Sequence, residues 1–345
     1  DHNIYSEVMM AHQNAGTYAN HRIEEYMSRD YRVPTPASDT PEAREEAFKR
    51  FLYVGQVLQA DAVKMGMEAF RRDRPFCMGS IVWQLNDCWP VASWSSRDYY
   101  GRWKALHYVT RKAYDDILVS PRVTATVPAG SPAGQPVKQV AALPSEENAK
   151  AMQEQKLPLS SEGPGVGFLE LKLVNDRRTV ARGTLRIQTM TIDGRVVNEK
   201  KQTITLPKNT AINVVTLPVQ DILGGEQPEN VFFYITFETS PSLGEGSGVS
   251  SYYNIAYPLR QKDMAYKKPN LSVTCSSVPD GFAVRISTDL FARAVYLKTK
   301  GISDFFSDNY FDLLPGQSRT IHVRTTKPLQ QFQQELEITT LGDDY

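Results

Sequence analysis

Cysteine is scarce in this chain of 345 residues. Only Cys77, Cys88 and Cys275 occur, and no two of them form a C-x-x-C motif. Three widely separated cysteines exclude a fully paired disulfide framework and a cysteine-based zinc ribbon. We therefore predict that the three are buried free thiols.

Excess charge of either sign is also lacking. Lys+Arg and Asp+Glu both number 39, so the formal net charge is zero, which argues against nucleic acid or an anionic membrane as a partner. No apolar run approaches the roughly 18–20 residues that span a bilayer. Neither a phosphate-binding glycine loop nor a Ser/His/Asp signature occurs, and the five histidines show no metal-ligand spacing, so we predict no cofactor and no metal: His2, His12, His21, His107 and His322.

The first residues, Asp-His-Asn-Ile-Tyr, contain neither an initiator methionine nor a signal peptide. We interpret the chain as a piece of a longer protein. A periplasmic, secreted or lysosomal parent is compatible with the sequence, which leaves the compartment open.

Tryptophan, by contrast, is concentrated. All four tryptophans, Trp83, Trp89, Trp94 and Trp103, fall within twenty-one residues, next to Gln84, Asn86 and Asp87. Flat indole faces beside amide and carboxylate groups suit a sugar ring, which has apolar C–H faces and a polar edge. The segment therefore favours a carbohydrate-binding surface.

Residues 1–118 have an α/β pattern. Apolar residues at helical spacing predict a long helix over 41–73, with Asp39 or Thr40 as N-cap and Pro41 in the first turn. The apolar run 76–83 predicts a parallel strand buried on both faces, and residues 102–118 predict a second helix. The chain thus has a helix, a buried strand, an aromatic loop and a second helix in the order that is typical of a (β/α)₈ barrel, whose ligand site lies at the strand ends. A whole barrel needs about 250 residues, so 1–118 would be the C-terminal part of one.

From residue 119 the pattern is all-β. Strand-like alternation and turn signals predict one immunoglobulin-like β-sandwich over 119–259 and a second over 260–345, joined by a linker at 260–269. Asp193-Gly194 predicts a hairpin, and 231–237 is the strongest strand. A Pro/Gly-rich stretch, 128–167, is interpreted as an insertion in the first sandwich, with a short helix near 146–155. Four strands are predicted in the second: 282–287, 294–298, 320–324 and 336–340.

About thirty residues of the aromatic segment resemble the β-mannosidases of the family-2 glycoside hydrolases. The resemblance is carried by five stretches, 77–80, 83–90, 93–96, 98–101 and 103–108, which include Trp-Gln-Leu-Asn-Asp-Cys-Trp-Pro. Residues 6–9 with 12–13, and 26–27 with 30–31, are also similar to that family, and 307–316 resemble its C-terminal β domain. The resemblance implies a five-domain enzyme whose last domains follow a (β/α)₈ barrel.

The resemblance also implies cleavage of terminal β-mannosides with retention of configuration. Retention needs two carboxyl groups about 5–5.5 Å apart. Asn198-Glu199 matches the family's acid/base pair by sequence but follows a hairpin, so we interpret it as an exposed strand residue. Ser161-Glu162 and Ser6-Glu7 lack the aromatic residue of the nucleophile motif. We expect neither catalytic carboxylate in this chain, and therefore no activity of the chain alone.

One wall of a sugar site remains. The resemblance implies that Trp83 is the platform beneath the terminal sugar, with a cis peptide to Gln84; the alternative for Trp83 is a core residue. Asn86 and Asp87 either bind sugar hydroxyls or brace the loop. Trp89 and Trp94 either line the pocket mouth or pack against protein. We interpret three residues of the final helix as packing residues: Trp103, His107 and Tyr108. His12 and Gln13 could approach the site, but the sequence favours a position away from it.

The partners predicted are a β-mannoside oligosaccharide or glycoconjugate and the N-terminal remainder of the parent enzyme. Two other functions stay open: another family-2 activity such as an exo-β-glucosaminidase, and a non-catalytic carbohydrate-binding or structural β-sandwich module. As an isolated polypeptide, the chain is expected to self-associate through residues 1–118.

Overall fold

The computed structural model describes residues 3–125, 166–239, 249–301 and 304–344. The predicted insertion at 128–167, with its short helix and Ser161-Glu162, lies outside these residues, except for positions 166 and 167. The described part of the N-terminal region contains four helices: α1 (Glu7–Ala11), α2 (Ala19–Asp30), α3 (Pro41–Arg72) and α4 (Ala105–Ala113).

Helix α3 follows from its sequence almost residue by residue. The Thr40 hydroxyl caps it by accepting from the Ala43 amide, and Pro41 occupies the first turn, where no amide hydrogen is needed. Arg71 and Arg72 in the last turn lie at the negative end of the helix dipole. The buried face runs along Tyr53–Met67, and the helix prediction over 41–73 is confirmed.

The predicted strand at 76–83 is wrong. Residues 77–82 form no strand and pair with none among the described residues, and the side chains of Phe76 and Ile81 are 75% and 98% exposed. An apolar segment becomes a buried strand only where neighbouring strands satisfy its backbone, and here none is present. The predicted (β/α)₈ portion is therefore not confirmed. The second helix is also shorter than 102–118, because Ile117 already begins the first strand.

The β region forms two pairs of sheets. The first pair has the strand orders β1-β2-β5 and β4-β3-β6-β7 and encloses a core that includes Leu171, Ile235 and Phe237. Its strands are β1 (Ile117–Ala125), β2 (Val166–Asn175), β3 (Ala181–Thr191), β4 (Val196–Leu206), β5 (Thr210–Pro218), β6 (Val231–Thr239) and β7 (Ser250–Ala256). The hairpin joins β3 to β4, where Gly194 has φ +90, as its sequence predicts.

The second pair has the orders β11-β13-β9-β8 and β12-β10-β14, around Phe282, Phe311 and Phe332. Its elements are β8 (Leu271–Val278), β9 (Gly281–Thr288), β10 (Ala292–Lys298), β11 (Phe305–Phe306), β12 (Phe311–Leu313), β13 (Ser318–Arg324), α5 (Leu329–Glu335) and β14 (Glu337–Thr339). The four predicted strands of this region are confirmed, as are the two immunoglobulin-like sandwiches. The linker is not loose, because Met264 and Tyr266 are buried.

Helix α3 joins the helical region to both β regions. Its side chains Tyr53 and Val57 share a core with Phe291 and Tyr310 of the last region. Nearer its C-terminal end, Glu68 accepts from the Asn254 amide on β7 at 2.9 Å. The helices therefore pack on the sandwiches through a common apolar core and are not a separate unit.

Candidate functional site

The aromatic loop, residues 83–103, is held by its own backbone and by a buried carboxylate. The amides of Ser96 and Arg97 donate to the carbonyls of Gln84 and Leu85 at 3.0 and 2.8 Å, which closes the loop at its base. The predicted cis peptide between Trp83 and Gln84 is present. These contacts give the tryptophan-rich segment a defined shape without a sheet.

Asp87 is the internal brace of the loop. It is 4% exposed, and its two carboxylate oxygens accept from the hydroxyls of Ser93 and Ser95 at 2.6 and 2.5 Å. The Lys104 ammonium donates to the Ser95 hydroxyl and the Ser93 carbonyl at 3.1 Å each. Of the two roles that the sequence left open for Asp87, the contacts favour bracing, because both oxygens are already occupied.

Lys104 and Asp87 carry opposite charges and are linked by hydrogen bonds through Ser93 and Ser95. Burial lowers the pKa of the Lys104 ammonium, and the negative charge of Asp87 opposes this shift. A buried cation without a counter-charge would be costly, so the Asp87–Ser95–Lys104 chain stabilises the loop electrostatically. Sequence reasoning missed Lys104, which lies outside the tryptophan-rich stretch that carries the sugar-binding signal.

Trp83 is on the surface, with 74% of its area exposed. Trp83 therefore belongs to no core among the described residues. Leu85 is 61% exposed and Asn86 is also exposed, so the beginning of the loop presents apolar and amide groups together. The Asn86 amide donates to the Asp87 carbonyl at 3.2 Å, and this bond leaves its side-chain carbonyl free to act as a hydrogen-bond acceptor.

Trp89 is anchored to the N-terminal helix. Its indole N–H donates to the His12 carbonyl at 2.8 Å, and its ring stacks on the His12 imidazole with centroids 5.8 Å apart. His12 Nδ1 lies 2.8 Å from the Pro90 carbonyl, and the Gln13 amide donates to the Ala92 carbonyl at 2.9 Å. His12 and Gln13 thus do contact the loop, although their sequence positions alone gave only a weak indication.

Trp94 has an unusual environment. Its indole nitrogen is buried and has no hydrogen-bond partner among the described residues, although the residue as a whole is partly exposed. Buried indole N–H groups ordinarily find an acceptor. The Trp94 N–H is therefore an unsatisfied buried donor that solvent does not reach in this structure.

Trp103 and Tyr108 pack against the last β region, in agreement with their interpretation as packing residues. Trp103 meets the Phe305 ring edge-on at 4.8 Å, and the Tyr108 hydroxyl donates to the Phe306 carbonyl at 3.1 Å. Trp103 itself precedes α4 and does not belong to it. Burial lowers the pKa of His107, with Arg111 and Arg97 adding to the shift, so its ring is neutral near pH 7.

Glu199 and Glu7, the other carboxylates that the sequence raises as candidates, lie in exposed secondary structure. Glu199 lies on the exposed strand β4, where it forms ion pairs with Arg186 and Lys201, as its strand interpretation requires. Glu7 is an exposed residue in the first turn of α1, where Ser6 is the N-cap. Within the described ranges, no group of three or more His, Cys, Asp or Glu side chains is arranged to hold a metal ion. The cysteines are free, but Cys88 is exposed and Cys77 and Cys275 are half-buried, so the prediction that all three are buried is wrong.

Known proteins resemble this chain in both its sandwiches and its helical region. Residues 167–259 match the family described as a mannosidase Ig/CBM-like domain, and residues 266–344 match the Ig-fold domain of mannosidases. The β-mannosidase of Bos taurus is 27% identical over 312 residues, which cover 86% of this chain and 30% of that protein. The chain resembles the C-terminal portion of the β-mannosidases.

Two further comparisons agree with the β-mannosidase resemblance. The β-mannosidase of Capra hircus is 25% identical over 99% of this chain and 34% of its own length. The crystal structure of the β-D-mannosidase of Dictyoglomus thermophilum has the same fold over 98% of this chain, with a TM-score of 0.67 and 20% identity, and this match covers 34% of that chain. The chain spans about a third of the length of the β-mannosidases that it matches. No helix in the described part of the chain combines the length and the apolar character that crossing a membrane requires.

Proposed function

We propose that this chain is the C-terminal portion of a retaining exo-β-mannosidase, in which the aromatic loop forms one wall of the site for the terminal β-mannose. The observation that carries the proposal is the aromatic loop itself. It presents the exposed indole of Trp83 beside Asn86 on a base that Asp87 and Lys104 stabilise. The β-mannosidase relatives supply the reaction class.

The role of each residue follows from its exposure and its contacts. Trp83 is the stacking platform, because its face is open and rigidly connected to the loop base. The side-chain carbonyl of Asn86 is a hydrogen-bonding group that remains available to sugar hydroxyls, and Trp94 lines the mouth of the pocket. Trp89 sets the position of the pocket mouth through its contact with His12, and Asp87 orients the loop from inside.

The two catalytic carboxylates come from outside this chain in the proposal. Retaining cleavage needs two carboxyl groups about 5–5.5 Å apart. Near the loop, Asp87 is occupied by two serine hydroxyls and Asp98 by Arg102 at 2.6 Å. We therefore expect no turnover by this chain alone.

The exposed segment 76–85 supports a missing partner. Five apolar side chains of this ten-residue segment lie in water: Phe76, Met78, Ile81, Trp83 and Leu85. Contiguous exposed apolar surface of this kind marks an interaction site. In the proposal, the N-terminal remainder of the parent, with its barrel strands, covers the part of this surface that is not used for sugar. The same surface accounts for the expected self-association of the isolated chain.

The test compares this chain with a longer chain that is extended upstream through the missing barrel, both assayed on p-nitrophenyl β-mannoside. We expect turnover by the longer chain only, with a large loss for Trp83→Ala and little change for Cys88→Ser, an exposed residue of the same loop. Turnover by the short chain would contradict the assignment of the carboxylates. If neither chain cleaves p-nitrophenyl β-mannoside but the longer one cleaves a β-glucosaminide, the result would favour the exo-β-glucosaminidase alternative.

Titration of the short chain with mannobiose separates a non-catalytic binding module from a severed active site. Clear binding that is lost in Trp83→Ala would favour an independent carbohydrate-binding module. Absence of binding by the short chain, with binding by the longer one, would support a site that is completed only by the rest of the enzyme.

A further inference from the structure

Strand β8 is an unprotected edge of the last sandwich. It ends the sheet β11-β13-β9-β8 and pairs with β9 alone among the described strands. Its eight residues, Leu-Ser-Val-Thr-Cys-Ser-Ser-Val, contain no charge and no proline. Ser272, Thr274 and Ser276 are exposed, and Val273 is 38% exposed. An edge of this kind offers a row of backbone N–H and C=O groups to another strand.

Two other edge strands of the described residues, β4 and β5, differ from β8 in charge or in burial. Strand β4, at the edge of its sheet, carries Glu199, Lys200 and Lys201 in its middle. Strand β5 lacks charge, but six of its nine side chains are half-buried. Charges and coverage are the devices by which proteins prevent edge-to-edge pairing, and β8 has neither.

We propose that β8 is a homodimerisation edge, at which the β8 strands of two copies pair antiparallel about a two-fold axis through Thr274. A two-fold axis perpendicular to a continuous sheet keeps each side chain on the same face of the sheet in both copies. Residues that lie opposite each other across the axis must therefore be an even number of positions apart, so the residue on the axis lies opposite the same residue of the second copy. Pro269 and Pro279 lie at equal distances from Thr274. Because proline cannot donate to a strand ladder, this register pairs 270–278 completely and places the prolines just beyond the pairing.

The charges that flank the strand are complementary in the same register. Lys268 and Asp280 are also equidistant from Thr274, so each Lys268 approaches the partner copy's acidic turn. Their side chains are 76% and 66% exposed and have only long contacts within the chain: 3.9 Å from Lys268 to Asp343, and 3.4 Å from Arg324 to Asp280. A second copy therefore brings opposite charges together at both ends of the paired strands, whereas the strands between these ends are uncharged. This complementarity favours a second copy of the chain as the partner of β8.

Pairing would also close an open side of the sandwich. A cleft of about 720 Å³ lies between the edges of β8 and β14 and the N-terminal half of α3. Leu271, Val273 and Cys275 line it from β8. In the proposed register Val273 faces Cys275 of the other copy, so the two apolar side chains shield each other at the mouth of the cleft.

The experiment measures association of the whole chain by sedimentation velocity over a wide concentration range. We expect a weak monomer–dimer equilibrium that Thr274→Lys weakens about fivefold or more, because it places two like charges face to face. Gln202→Lys adds the same charge at an exposed position of β4 and serves as the matched control; it should leave the equilibrium unchanged. A monomeric wild type, or equal effects of the two substitutions, would overturn the proposal.

A cross-link tests the register and separates this dimer from association through residues 1–118. In a background of Cys77→Ser, Cys88→Ser and Cys275→Ala, Thr274→Cys should form a covalent dimer under oxidation. Ser276→Cys should not, because the two copies of residue 276 lie four positions apart, about 13 Å along the strand. Cross-linking of neither variant, or of Ser276→Cys alone, would reject the pairing about Thr274.

Discussion

Asp61 on α3 is partly buried and forms an ion pair with the buried Arg293 on β10, with 2.5 Å between carboxylate Oδ2 and guanidinium Nη2. A second carboxylate, Asp312, binds the other side of Arg293 at 2.8 Å, and the Tyr31 hydroxyl donates to Asp61. The Arg293 guanidinium also lies over the Tyr257 ring, 5.4 Å from its centroid. One arginine thus connects the helical region, the segment before the linker and the last sandwich.

Removing Arg293 should be strongly destabilising. In Arg293→Met the apolar stem is kept, but Asp61 and Asp312 are left without their cation, which costs about 3–5 kcal/mol for a broken buried pair. Urea denaturation of both proteins at pH 7 measures the difference. Arg195→Met, which breaks an exposed pair with Glu226, is the control and should show no resolvable change. Equal stability of the two variants would show that the buried pair contributes little.

Acid should weaken the same network through Asp312. Burial alone would raise the pKa of this carboxyl, but the Arg293 charge and the Ala294 amide outweigh it, so the net pKa is below its ordinary value. A depressed folded-state pKa gives stability that is present above the unfolded value, about 3.9, and is lost as the pH falls through the folded value.

Asp312→Asn should therefore be less stable than the wild type near pH 7, and its stability should fall less steeply below about pH 4. Free energies of unfolding measured at a series of pH values give both slopes. Asp221→Asn, at an exposed position, should keep the wild-type slope. Parallel curves for wild type and Asp312→Asn would disprove the linkage.

Loss of the Asp87 carboxylate should loosen the aromatic loop. Asp87→Ala leaves the hydroxyls of Ser93 and Ser95 without their acceptor and Lys104 without its nearest counter-charge. Hydrogen bonds to a charged group contribute about 1.5–3 kcal/mol, so exchange of the Ser96 and Arg97 amides should accelerate about tenfold to a hundredfold. Hydrogen–deuterium exchange provides the readout, with Cys88→Ser as control. Unchanged protection in Asp87→Ala would mean that the backbone bonds alone hold the loop.

Gly194 should be sensitive to a single added methyl group. It has φ +90, and a Cβ at this position would lie 2.7 Å from the Cβ of Pro315, across the contact between the two sandwiches. Gly225 has a similar φ of +83, and a Cβ added there would meet no atom within 4 Å, so Gly225→Ala isolates the backbone cost, about 1–2 kcal/mol.

The difference between the two glycine variants measures the inter-sandwich contact. Gly194→Ala should cost about 1–3 kcal/mol more than Gly225→Ala, because the clash adds to the backbone strain. Thermal unfolding of both variants gives the comparison. If the two variants have equal stability, the hairpin must move away from Pro315 at little cost.

Local signals in the sequence predicted the elements that local physics determines. The cap at Thr40 and Pro41 located α3, and the Asp193-Gly194 turn located the β3–β4 hairpin. The segment 76–83 failed for the opposite reason. Its apolar run is equally consistent with a buried strand and with an uncovered surface, and only the presence of neighbouring strands decides between them.

The candidate site was predictable in composition and only partly in roles. The tryptophans indicated the loop, but the bracing role of Asp87 depends on Ser93, Ser95 and Lys104, whose mutual distances no spacing rule gives. His12 contacts Pro90 from 78 positions away in the sequence, and Asp61 meets Arg293 from 232 positions away. Such contacts are set by the packing of whole elements, which a one-dimensional pattern does not contain.

All four tryptophans lie within residues 83–103, so the tryptophan fluorescence of the protein reports on one region of the chain. Both sandwiches lack indole, so emission excited at long wavelength comes from the aromatic loop alone, whereas far-ultraviolet dichroism records the helices and strands of the whole chain. A denaturation followed by both signals therefore compares the loop with the secondary structure as a whole. Coincident curves would mean that the loop unfolds together with the helices and sheets, and an earlier fluorescence change would mean that the loop opens before they melt.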